Sequence, residues 1–156
     1  METTPLGLER FVQAQGRVYS DVLAELRAGR KESHWMWFVF PQIRGLGRST
    51  TAEFFGIQGI NEARGYLLHP LLGVRILECT GLVLGHRERT ARSIFGFQDD
   101  LKLCSSMTLF HEASSSLNNV FRNVIDSFYA GKPDDQTLRL LIDPNTQRGN
   151  LTPAAR

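Results

Sequence analysis

The chain has 156 residues, 42% of them hydrophobic and 22% charged, with a formal net charge of +2. That is long enough for one domain with a true core, too short for two ordinary ones, and close enough to globular averages to exclude wholesale disorder. The longest apolar run, Trp35 to Phe40, cannot span a bilayer, and the start Met-Glu-Thr-Thr-Pro lacks the basic-then-apolar pattern of a secretory signal, so a cytoplasmic protein with reduced Cys79 and Cys104 is expected.

In chain order, Leu8, Phe11, Val12, Val18, Tyr19, Val22, Leu23 and Leu26 follow helical spacing, which predicts one amphipathic helix over Leu8 to Ala28, weakened at Gly16 and stopped by Gly29. Ser33 can cap a short helical run through the aromatics, and Pro41 forces Phe40 out of the α region. A loop over Gly45, Gly47, Ser49, Thr50 and Thr51 precedes a single turn at Ala52 to Phe55. Asn61 is the expected cap of a helix from Glu62 to Leu68, ended by His69-Pro70. The next helix runs to about Leu84, buries Leu72, Ile76, Leu77, Cys79, Thr80, Val83 and Leu84, and closes at Gly85.

Thr90 can cap a short helix through Ile94 and Phe95, ended by Gly96, and Asp99 or Asp100 can cap the helix that carries Leu101, Leu103, Cys104, Met107, Leu109 and Phe110. Ser115 or Ser116 opens another, with Val120, Phe121, Val124, Ile125 and Phe128 on its buried face, and Asp134 to Ile142 forms the last. No series of alternating strands with turn signals is present. The expected class is all-α: a single compact, orthogonal helical domain of about seven short to medium helices over residues 1–142. Residues 143–156 cannot bury anything and read as a disordered tail.

Both tryptophans and a cluster of cations fall in residues 30–49. Lys31, His34, Gln42, Arg44 and Arg48 supply hydrogen-bond donors, and Trp35 and Trp37 supply flat apolar area, the mixture of a concave small-molecule pocket. The alternative is that these rings are the keystone of the core, with one tryptophan left as a pocket wall. Gly45 and Gly47 match neither a Walker loop nor the three-glycine dinucleotide pattern, yet Arg44 and Arg48 flank them and could fork onto a phosphate. A second cation group, Arg87, Arg89 and Arg92, lies further on.

Among carboxylates, Glu62, Asp99 and Asp100 stand at helix starts, where an acid beside cations stays ionised and could act as a base or stabilise an oxocarbenium ion; capping is the other reading. Lys102, Ser105 and Ser106 project from the helix that Asp100 begins, and Ser106 lies too far in to be a cap. His34, His69, His86 and His111 are scattered, with no pair at the four-residue spacing of a zincin, so no metal and no cofactor are expected.

With these residues set out, the chain resembles a bacterial family, domain of unknown function family 1810, some of whose members carry the label calpastatin-like. The matching motifs include Leu8-Glu9-Arg10-Phe11-Val12-Gln13-Ala14-Gln15, Glu25-Leu26-Arg27-Ala28-Gly29-Arg30-Lys31 and His34-Trp35-Met36-Trp37-Phe38-Val39-Phe40-Pro41-Gln42. They continue through Gly45-Leu46-Gly47-Arg48-Ser49, His69-Pro70-Leu71-Leu72-Gly73, Ile94-Phe95-Gly96, Asp99-Asp100-Leu101-Lys102-Leu103 and Ser106-Met107-Thr108-Leu109-Phe110. The resemblance implies a compact, mainly helical cytosolic domain and no established reaction. Calpastatin-type inhibitors resemble long disordered repeats, which this chain does not.

A fainter resemblance is to small helical N-glycosidases acting on ribosyl-linked bases and ADP-ribose derivatives. It rests on Trp37-Phe38-Val39-Phe40-Pro41, on Glu62, and on Asp100-Leu101-Lys102 with Met107, although Glu62 is followed by Ala63-Arg64-Gly65 where that family has an aromatic helix motif. It implies a nucleotide or ADP-ribose-like ligand: Trp35 or Trp37 stacking on the base, Lys31, Arg44 and Arg48 on phosphate, His34 and Gln42 orienting, and Glu62 or Asp100 stabilising N-glycosidic cleavage. The rival expectation is a non-catalytic domain whose cations meet an acidic partner. RNA binding is the lesser alternative, given the small net charge.

Overall fold

The structure, a computed structural model, describes residues 7–142. Ten helices follow in order among the described residues: α1 Glu9–Gly16, α2 Tyr19–Ala28, α3 Met36–Val39, α4 Thr50–Phe55, α5 Ile60–Leu68, α6 Leu72–Leu84, α7 Ala91–Phe95, α8 Asp99–Ala113, α9 Val120–Phe128 and α10 Asp135–Ile142. The fold is all-α. The β-type pairing that occurs among these residues is one isolated parallel bridge, Ile43 to Ile57, made by Arg44 N–H donating to the Ile57 carbonyl at 2.7 Å and Ile57 N–H donating to the Gln42 carbonyl at 2.9 Å.

The expected count of about seven helices falls short for two reasons. The predicted first helix breaks after Gly16, where Val18 leaves the helical region (φ −131°, ψ 2°), so that α1 packs on α3 while α2 packs on α6. Nothing lies within 4 Å of a Cβ built on Gly16, so the glycine weakens the helix by its backbone freedom and not by allowing close packing. Short runs at α3 and α4 add the rest.

Caps show where side chains settle helix ends. Gly29 is left-handed (φ 72°) and ends α2, Thr90 accepts the Ser93 N–H, and Ser49 accepts the Ala52 N–H, so that α4 starts at Thr50, before the expected Ala52. Asn119 caps α9, in place of Ser115 or Ser116, and Asp134 accepts the Thr137 N–H at 2.9 Å at the head of α10. Neither Asn61 nor Ser33 caps: α5 starts after Gly59, and the Ser33 hydroxyl turns instead to Glu25. Gly85 is right-handed (φ −61°), so α6 runs on into a turn instead of closing in a left-handed cap. The proposed tail, 143–156, lies outside the described residues.

The corner between α5 and α6 bends the chain by 89°. The His69 ring makes it, its Nδ1 accepting the N–H groups of Leu71 and Leu72 at 3.1 and 3.2 Å. Gly73 permits it, because a Cβ there would stand 2.1 Å from the Leu67 carbonyl oxygen. Around α8, which packs on α5, α7, α9 and α10, one connected apolar cluster includes Phe11, Trp35, Phe40, Tyr66, Phe110 and Phe121. Leu77, expected inside, is 50% exposed, since α6 buries Leu72, Ile76, Cys79, Thr80, Val83 and Leu84 on one stripe and Leu77 falls beside it. No single helix among the described residues is long and apolar enough to cross a membrane.

Candidate functional site

The site is built on a carboxylate that the residue pattern did not nominate. Glu25, in α2, accepts the Glu32 N–H at 2.8 Å, the Ser33 N–H at 3.0 Å and the Trp35 indole N–H at 2.9 Å, and the Ser33 hydroxyl as well. Burial alone pushes this carboxyl up, but the bonds from Ser33, Glu32 and Trp35 outweigh it and hold the group at about 2. An ionised Glu25 therefore fixes the turn that delivers Trp35 into the core and Lys31 beside it.

Trp35 is fully buried, with Phe40 and Phe95 against it at 6.2 and 6.5 Å between ring centroids. Of the two tryptophans it is the core keystone. Lys31 stands 5.0 Å above its ring and reaches Asp99 at 2.8 Å, its side chain only 7% exposed. Asp99 also takes Lys102 at 3.2 Å, and the Lys102 ammonium lies 5.0 Å above the ring of Trp37, which is half-buried. A continuous polar chain thus runs from Glu25 and Trp35 through Lys31, Asp99 and Lys102 to Trp37.

That chain ends at a groove of about 540 Å³ between the Gln42–Gly47 loop, α8 and the start of α10, with Gln42, Leu46, Gly47, Lys102, Cys104, Ser105, Tyr129 and Asp134 in its wall. Burial pushes the Cys104 thiol up to about 11, Asp134 adding to the effect, which disfavours the thiolate. Burial likewise raises the Tyr129 phenol, whose hydroxyl donates to the Asp100 carbonyl oxygen.

Of the residues nominated from sequence, the structure brings Lys31, Trp37, Gln42 and Lys102 to this chain and groove, with Trp35 beneath. Arg44 and Arg48 are exposed on the loop whose Leu46 and Gly47 line the groove, and His34 is exposed. Asp100 sits just behind the wall, with one carboxylate oxygen accepting the Leu101 N–H at 2.8 Å and the other 3.6 Å from Arg92. Ser106 is fully buried, with its hydroxyl unpartnered. Neither aspartate caps α8; Gln98 holds that position, at φ 82°.

Glu62 belongs to a different place. It is 5% exposed, accepts the Gln58 N–H at 2.8 Å and pairs with Arg10 at 2.9 Å. Arg10 also donates to the carbonyls of Gly7, Phe54 and Gly56 at 2.6, 2.8 and 3.0 Å, stitching α1 to the start of α5. The depression there, also about 540 Å³, is lined by Arg10, Gln58, Asn61 and Glu62 among others and holds none of the other nominated residues. Sequence reasoning missed Glu25, Asp99's bridging role and Arg10; the residues stood inside the quoted motifs, but their partners lie up to 68 positions away, as for Lys31 and Asp99.

An all-α fold with a buried tryptophan clasped by a helix carboxylate and a lysine-walled groove defines the class. The chain belongs to the family described as a protein of unknown function (DUF1810), whose model matches residues 5–141. It is similar to the crystal structure, at 1.38 Å, of the conserved hypothetical protein Rv1873 from Mycobacterium tuberculosis: 53% identity, a TM-score of 0.87, and coverage of 90% of this chain and 99% of that one. No curated protein matches the chain.

Proposed function

We propose that the protein binds a small nucleotide-like ligand, of the ADP-ribose type, in the groove between the Gln42–Gly47 loop and α8. The observation that carries this reading is Lys102: an ammonium pinned between Asp99 and the Trp37 ring, at the wall of an open groove, with donor capacity left for an anion. Trp37 supplies a half-buried ring beside it for a base, Gln42 an amide, and the exposed Arg44 and Arg48 charge for phosphate. A cytosolic setting fits, both cysteines being free.

The proposal is restricted to binding. Of the carboxylates nominated for cleavage of an N-glycosidic bond, Glu62 is engaged by Arg10 away from this groove, and Asp100 does not line it, one of its oxygens accepting the Leu101 N–H. Thermal unfolding against ADP-ribose, NAD, AMP and adenosine tests it. A ligand at about a hundred times its dissociation constant adds about 2.7 kcal/mol of stability. A rise in midpoint with a phosphate-bearing ligand, lost in Lys102→Ala, is expected; no rise with any of them at millimolar concentration would overturn the reading.

A further inference from the structure

The chain at Arg30 and Lys31 meets the segment that carries the second cation group at the end of α2. The Gly29 carbonyl accepts from Arg89 at 3.1 Å, the Leu26 carbonyl meets His86 Nε2 at 2.9 Å, and the Lys31 N–H donates to the Ile94 carbonyl at 2.8 Å. The segment after α2 is thereby fastened along the α6–α7 turn, with Arg30 standing between Gly29, which Arg89 holds, and Lys31, which Ile94 of α7 holds. The negative end of the α2 dipole accounts for His86 and Arg89, whose donors satisfy its last carbonyls.

It does not account for the others. The side chains of Arg30 and Arg92 are 78% and 64% exposed, and their pairs with Glu32 at 3.8 Å and Asp100 at 3.6 Å are long surface contacts that hold a guanidinium weakly. Arg87 is exposed and makes no side-chain pair among the described residues. Next to them the turn between α7 and α8 passes through two left-handed residues, Gly96 (φ 85°) and Gln98 (φ 82°), the second a non-glycine for which that conformation costs energy. Between them Phe97 is 66% exposed, with the Arg92 guanidinium 4.9 Å above its ring. A strained turn that sets an aromatic ring into water beside Arg92 gains nothing for the core. It has the parts of a stacking platform: a flat ring for a base, and guanidinium groups that take phosphates in a fork.

We propose that this face, Phe97 with Arg30, Arg87 and Arg92, binds single-stranded nucleic acid, a base stacking on Phe97 while the arginines hold the flanking phosphates. Single strands fit better than a duplex because a duplex hides its base faces. Nearby acids make the affinity modest and the contact short. With about three phosphates neutralised, the logarithm of the binding constant should fall with that of salt at a slope of roughly −2.

The test is fluorescence anisotropy with labelled single-stranded RNA and DNA of about 12 bases, and the matching duplex, between about 50 and 200 mM salt. Binding of a single strand with that salt slope, weakened about 5- to 100-fold by Phe97→Ala, is expected, with the unfolding midpoint of the variant unchanged because the ring is exposed. Phe97→Tyr should retain binding, and Lys102→Ala should leave it intact, which keeps it separate from the groove. No anisotropy change at the lowest salt would overturn the proposal, as would binding indifferent to Phe97→Ala or equal binding of the duplex. A purified acidic peptide that binds this face while no oligonucleotide does would also overturn it.

Discussion

Arg10 and Lys102 are both cations paired with a carboxylate beside a cavity of about 540 Å³, and they are in opposite conditions. Arg10 donates to Glu62 and to the carbonyls of Gly7, Phe54 and Gly56, with its guanidinium carbon 4.3 Å from the centroid of the Phe11 ring. Its capacity is spent on the fold. Lys102 has Asp99 at 3.2 Å and the face of Trp37, and the rest of its ammonium remains for something else. Cavity size does not separate the two places; saturation of the polar groups does, since a saturated group has little to offer a ligand.

The largest effect should come from the keystone between the two regions. Trp35→Ala removes a fully buried ring and leaves Glu25 short of a donor, and should cost about 3 to 5 kcal/mol in chemical denaturation. Trp37→Ala, two residues along, should cost far less and should instead weaken ligand binding. If both variants lose stability equally and neither alters binding, the division between core and groove fails.

Glu62→Gln comes next. Breaking a pair in which the acid is 5% exposed should lower stability by about 3 kcal/mol, with ligand affinity unchanged in the folded protein, as read by denaturation and calorimetry. Lost binding at full stability would return Glu62 to the site. Glu25 sharpens the contrast through pH. Its folded value, about 2, lies below the ordinary 4.5, so its contribution is fully present above pH 4.5 and is lost as pH falls towards 2. Glu25→Gln should flatten the stability profile across that window. At the small end, His69→Ala should cost about 1 kcal/mol by uncapping α6, with binding untouched.

Local signals carried much of the fold into the sequence. Gly29, Gly96 and Pro41 act through their own backbones and Thr90 through a hydroxyl that reaches only its own helix, so their helix ends could be read without knowing a distant partner. The break at Val18 could not, because α1 and α2 are separated by what each packs on. The same limit governed the site. Two tryptophans and two groups of cations were visible, but which ring is buried depends on Glu25, ten positions before Trp35, and the fate of Glu62 depends on Arg10, 52 positions away. Helix starts suggested Asp99 and Asp100 as caps, whereas Lys31 draws Asp99 into the polar chain and Gln98 takes the cap position.

The measurement that bears most directly on the central claim is a titration of isotope-labelled protein with ADP-ribose, following backbone amide shifts. With the ligand in the groove, the shifts cluster in the Gln42–Gly47 loop, in Leu101 to Ser105 of α8 and around Asp134. Shifts concentrated at Arg10 and Gln58 to Glu62, or none at millimolar ligand, would contradict it.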